Sequence, residues 1–143
     1  MLKKLISENS FPQLDSESVK KGENRTGYFN GLVHLNLNEI HSFTDDYGRK
    51  GIVIPLKEKK NLVVFQRYKN NENILALNGP VEIERALGCR FEEDDIMLIE
   101  AIINKNITAE IREKFLKAKI DQCAFEAPKY YIDNIEAMFE YIA

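Results

Sequence analysis

The chain has 143 residues, 44% hydrophobic and 30% charged, with a formal net charge of −3. That length supports one domain, 1–143, whose core needs no disulfides or metals, and the mildly acidic balance argues against a dedicated nucleic-acid binder. Cys89 and Cys123 stand apart from each other and from any Cys/His cluster, which points to reduced thiols in a cytoplasm, with a disulfide between them as the lesser alternative.

The opening "MLKKLISENSF" begins basic, but only Leu5 and Ile6 precede the return of polar residues. This is too short for a signal-peptide core or a membrane span, so neither export nor insertion is expected. The sequons at Asn24 and Asn106 would then meet no glycosylation machinery. One short helix is expected at Met1–Ile6. Residues 7–30, rich in Ser, Asn, Glu, Lys and Gly with Pro12 inside, read as a loop-rich lead-in. Within it "NRTGYFNG" lacks the preceding strand and the Lys-Ser/Thr of a phosphate-binding loop. Tyr28 and Phe29 remain as anchors for the core or for a partner.

From Leu32 the apolar period becomes two. In "LVHLNLNEI", Val33, Leu35 and Leu37 alternate with His34, Asn36 and Asn38, the pattern of a half-buried strand. "TDDYGRKG" supplies a turn. "GIVIPLK" follows as a second strand, placed at an edge or a bulge because Pro55 lacks an N–H. "EKKN" closes a hairpin into "LVVFQRY", whose apolar run Leu62–Phe65 suggests burial on both faces, and "KNNEN" leads to a fourth strand, "ILALN". Strands joined by short polar loops make an antiparallel meander.

Helical signals then take over. Pro80 suits a first turn and Gly88 a left-handed cap, bracketing a helix over Val81–Leu87. A longer helix covers Glu92–Lys105, with Ile96, Ile99 and Ile103 on one side and Leu98 and Ile102 flanking. Thr108 is the expected N-cap of "AEIREKFLKAKIDQC", which turns Ile111, Phe115, Leu116 and Ala118 toward the core. Pro128 opens a last helix striped with Tyr131, Ile135, Met138, Phe139 and Ile142. Strands first and helices afterwards define an α+β fold: an antiparallel sheet of about four strands, with three to four helices on one face.

Charge is unevenly spread. Residues 1–81 carry 12 Lys/Arg against 9 Asp/Glu, while residues 82–143 carry 8 against 14. The acidic half contains "CRFEEDDIMLIE", where Glu92, Glu93, Asp94 and Asp95 precede a run of aliphatics. Successive helical side chains point about 100° apart, so four acids in a row do not converge on one ion. A calcium loop would need alternating donors with a glycine between them. The acids suit a helix N-terminus, where the dipole favours negative charge by about 0.3–1 kcal/mol each. A run of four exceeds what capping requires and leaves a negative patch fit for a basic protein. No catalytic, cofactor or metal residue is assigned.

Two weaker candidate sites are present. His34 and His41 are the only histidines, with Asp45 and Asp46 close behind His41, which allows a small His/Asp-dependent hydrolase. Phe65, Arg67 and Tyr68, beside Lys57, Lys59, Lys60 and Lys69, allow a nucleic-acid surface. Val63 on the same face as Phe65 makes that face look like core instead.

In its size, its α+β layout around "LVVFQRYKNNENILALNGP" and its acidic "FEEDD", the chain resembles bacterial immunity proteins. These are the cytoplasmic partners that neutralise toxins of contact-dependent growth inhibition and other polymorphic toxin systems. The resemblance implies occlusion of a toxin's active or substrate-binding surface without chemistry. Glu92, Glu93, Asp94, Asp95 and Glu100 are then the contact candidates, the partner is a protein rather than nucleic acid or membrane, and no cofactor is involved.

Overall fold

The structure, a computed structural model, describes residues 2–22, 32, 35–68, 71–78, 96–122, 136 and 139–142. Helix α1 spans Leu2–Asn9 and ends at Ser10, whose φ of 51° turns the chain out of the helix. Residues 11–22 of the lead-in carry more structure than their composition suggests. Residues 11–14 run along the sheet edge, where Ser42 N–H donates to the Pro12 carbonyl at 2.9 Å and Leu14 N–H donates to the Ser42 carbonyl at 2.8 Å. Helix α2, Ser16–Gly22, then replaces the expected loop. The Asp15 carboxylate accepts the Ser18 N–H at 2.7 Å as its N-cap. Leu14 and Val19, on either side of that cap, meet in one apolar cluster, the arrangement of a hydrophobic staple.

The sheet is antiparallel and the fold α+β. Its strands, β1 (His41–Thr44), β2 (Lys50–Pro55), β3 (Asn61–Tyr68) and β4 (Asn71–Asn78), lie in that order, each hydrogen-bonded to the next. The strand expected over "LVHLNLNEI" is not found in its described part: residues 35–40 are irregular, and β1 begins directly after them. Burial does alternate there, with Leu35 and Leu37 half-buried and Asn36 and Asn38 exposed. The backbone finds a different partner. Asn61, buried at the start of β3, donates its Nδ2 to the carbonyls of Leu32 at 2.9 Å and Leu35 at 2.7 Å. A period of two reports burial, while a strand also needs a ladder. Pro55 is likewise not on an edge strand, because β2 lies between β1 and β3. It ends β2, beyond the last β1 pairing, His41↔Val53, so on that flank its missing N–H interrupts nothing. β4 begins three residues earlier than expected, and the β3–β4 register shifts between Gln66 and Tyr68.

Two apolar clusters follow from the pleat. On one face Ile52, Ile54, Leu62 and Val64 meet Leu5 of α1, Leu98, Ile99 and Ile102 of α3 (Ile96–Ile103), Phe115 of α4 (Ala109–Gln122), and Phe139. On the other, Val53, Val63 and Phe65 meet Phe43, Leu32 and Val19 of α2. The four residues Leu62–Phe65 are each at most 1% exposed, so β3 is buried on both faces as its continuous apolar run implies. The described helices that follow the sheet, α3 and α4, contribute to the first cluster, while Val19 of α2 with Leu32, Leu35 and Leu37 covers the second face. Gly51, opposite Phe43, shows how tightly that second face is filled. A Cβ on Gly51 would run into the Phe43 ring and lie 2.7 Å from the Val64 carbonyl oxygen.

Both described C-terminal helices have identifiable ends. Thr108 Oγ1 accepts the Ile111 N–H at 3.2 Å, the expected cap of α4. At the end of α3, Lys105 N–H donates to the Ile102 carbonyl and Asn106 N–H to the Ala101 carbonyl. This is a Schellman motif with Lys105 at φ 54° where glycine is usual. The ring of Phe115 packs edge-on against Phe139, with centroids 6.0 Å apart. The helices expected over Val81–Leu87 and from Pro128 lie outside the described residues, apart from 136 and 139–142, which are helical.

Candidate functional site

Helix α3 connects the acidic run to the rest of the molecule. Leu98, Ile99 and Ile102 hold it in the larger apolar cluster. On its outer side Met97 is 53% exposed and Glu100 is exposed. Positions three apart are neighbours on a helix surface, so a large apolar side chain and a carboxylate share that side. Glu92, Glu93, Asp94 and Asp95 lie outside the described residues, immediately before α3 in the chain. The exposure of Met97 has no signal in sequence, because it sits within an aliphatic run, "IMLIEAII", that looks uniformly like core. Only the 100° rotation per residue separates it from its neighbours.

Among the described residues, His41 and Asp45 are not brought together. His34 lies outside the described residues. His41 opens β1 and Asp45 follows its end, so four residues of strand, about 13 Å at roughly 3.3 Å each, separate them. His41 Nδ1 donates to the Glu39 carbonyl at 2.9 Å. The buried Asp45 carboxylate is fully engaged in the β1–β2 turn. Its Oδ1 accepts the N–H groups of Tyr47 and Arg49, at 3.0 and 2.6 Å, and its Oδ2 accepts the Arg49 Nε. Such a carboxylate fixes a turn; it does not activate a histidine at the far end of the strand.

Of the residues of the nucleic-acid arrangement, Phe65 is withdrawn into the core. Phe65 is 1% exposed within the α2-side cluster and offers no face to a base. Lys57 and Lys59 are exposed in the 3₁₀ turn Lys57–Lys59 that joins β2 to β3, with Glu58 between them.

A groove of about 770 Å³ opens beside the end of β2. Its walls include Ile40, Ile54, Leu56, Ile102, Ile107 and Ile142, and Lys57 and Lys105 stand with Glu39 at its edge. Because β1 stops at His41 while β2 continues to Pro55, the sheet is one strand narrower here. These aliphatics gave no site signal in sequence, since each reads as core.

Among the described residues no group of three or more His, Cys, Asp and Glu side chains is placed to hold a metal ion. No helix among them is long and apolar enough to cross a membrane. Comparison with known proteins finds no family model, no curated protein and no solved structure that matches the chain.

Proposed function

We propose that the chain is a small cytoplasmic protein-binding inhibitor of the immunity type, which neutralises a basic, nuclease-type toxin by covering its active or substrate-binding surface. The observation that carries this reading is the outer side of α3. Exposed Met97 and Glu100 stand on a helix whose opposite side is anchored by Leu98, Ile99 and Ile102, and the four acids Glu92–Asp95 directly precede it in sequence. An apolar contact set among carboxylates is a composition that protein interfaces use. The carboxylates would mimic or repel phosphate at the toxin's nucleic-acid site and speed association by electrostatic steering. In this reading the sheet of about four strands and the helices stacked on it are a scaffold that holds the contact side rigid. Glu92, Glu93, Asp94, Asp95 and Glu100 are its contact residues, and the chain contributes no catalytic group.

The test begins with the gene neighbourhood, where a long toxin-like reading frame is expected immediately upstream, and its toxin domain is then the partner assayed. The purified chain is expected to form a complex of defined stoichiometry with it, to protect cells that express it, and to associate more slowly as salt rises. Absence of both complex and protection at equimolar concentrations would overturn the reading.

A further inference from the structure

We propose that Met97 is the anchor of the contact side: its thioether chain enters an apolar pocket of the toxin domain, and the rim of that pocket carries Lys or Arg. This assignment rests on the inhibitor reading and deepens it. The acids set how fast the complex forms, and Met97 sets how long it lasts.

A single apolar side chain on a surface is ordinary, so the setting of Met97 decides. Met97 and Tyr47 are the two exposed large apolar side chains among the described residues. Tyr47 has the Arg49 guanidinium 5.3 Å from its ring centroid, within its own turn. Met97 stands instead on the side of α3 where Glu100 and, just past the helix end, Asn104 are also exposed. Spacings of three and four bring these into one outward row of an apolar, an acidic and an amide side chain. In the sequence Glu93 and Asp94 lie four and three residues before Met97. Its neighbours Leu98 and Ile99 are buried in the larger cluster. The core therefore holds the backbone beneath Met97, and binding has only the side chain to immobilise.

Charge acts at a distance, whereas packing acts only in contact. Carboxylates draw a basic partner in before the surfaces touch and so raise the association rate. Burial of an apolar side chain is realised only after docking, and its loss appears in dissociation. Anchors of this kind sit in desolvated pockets, with charged groups kept to the rim. Methionine is unbranched and polarisable, which lets it fill an irregular pocket. The complementary surface is thus apolar at its floor and basic at its edge, facing Met97 with Glu100 beside it.

Association and dissociation on the immobilised toxin domain are measured for the unaltered chain, Met97→Ala and Met97→Leu. Met97→Ala is expected to dissociate at least about tenfold faster, with association changed by less than about twofold and its salt dependence kept. Met97→Leu, close in volume, should retain most of the residence time. Because Met97 is 53% exposed, the thermal melt of both variants should stay in place. Unchanged dissociation of Met97→Ala, or a loss that falls on association instead, overturns the anchor; the complex and its salt dependence would then leave the inhibitor reading standing. A lowered thermal melt accompanying the loss of binding also overturns it, since Met97 would then act through the fold. Failure of the unaltered chain to bind the toxin domain removes the inhibitor reading, and the anchor with it.

Discussion

Asp45 is among the few charged or polar residues buried in the described part of the chain, and its surroundings explain why it is tolerated there. Two backbone donors and the Arg49 side chain engage its carboxylate, which is the condition under which a buried charge is stable. The Arg49 guanidinium also lies 5.3 Å from the centroid of the Tyr47 ring. Replacing Asp45 by Ala leaves two turn amides and a mostly buried guanidinium without their acceptor. The expected loss is about 3 kcal/mol in a urea unfolding curve, and a loss below about 0.5 kcal/mol, the range of an ordinary surface substitution, would contradict the assignment. Lys105 makes the opposite prediction. Its backbone sits at φ 54°, a conformation that disfavours side chains with a Cβ by about 1 kcal/mol. Lys105→Gly is therefore expected to raise stability by up to about 1 kcal/mol, measured in the same way; destabilisation would contradict it. Turn chemistry in "TDDYGRKG" was legible in sequence, but the burial of Asp45 was not, because an aspartate in a turn looks the same whether it faces water or the core.

Among the elements, the best-read are those with a local signature. Thr108 caps α4 where expected, and the apolar run of β3 is buried on both faces. The errors arise where a distant residue decides. The alternation over Leu35–Asn38 describes which side chains face the core, but Asn61, 26 residues beyond Leu35, takes the carbonyls that a neighbouring strand would have bonded. Helix α2 is short, and its composition looks like loop, yet Asp15 with Leu14 and Val19 provided a cap and a staple in plain view. The role of Asn61 can be measured. Asn61→Ala removes the donor to Leu32 and Leu35 and leaves their carbonyls short of a partner, which should cost about 2 kcal/mol. Amide exchange should quicken around residues 32–37 ahead of the rest of the sheet. Exchange that quickens uniformly would show that Asn61 does not tie this segment down.

Across the whole molecule, an antiparallel sheet carries apolar layers on both faces, and α3 presents Met97 and Glu100 outward while its other side is anchored. The fold class was legible from periodicity and turn residues. The covering of the second face was not, because it depends on how the lead-in wraps back along β1. For the candidate site, the acidic run was conspicuous in sequence and Glu100 lies exposed on α3, whereas Met97 and the groove depend on three-dimensional placement. The proposed inhibitor function rests on charge at the contact side, so the most direct measurement is affinity for the toxin domain after that charge is removed with shape preserved. The variant carries Glu92→Gln, Glu93→Gln, Asp94→Asn, Asp95→Asn and Glu100→Gln, and Kd is compared with the unaltered chain at low and high salt. The proposal predicts a Kd at least about tenfold weaker, chiefly through slower association, with most of the salt dependence gone. An unchanged Kd with unchanged salt dependence would contradict it.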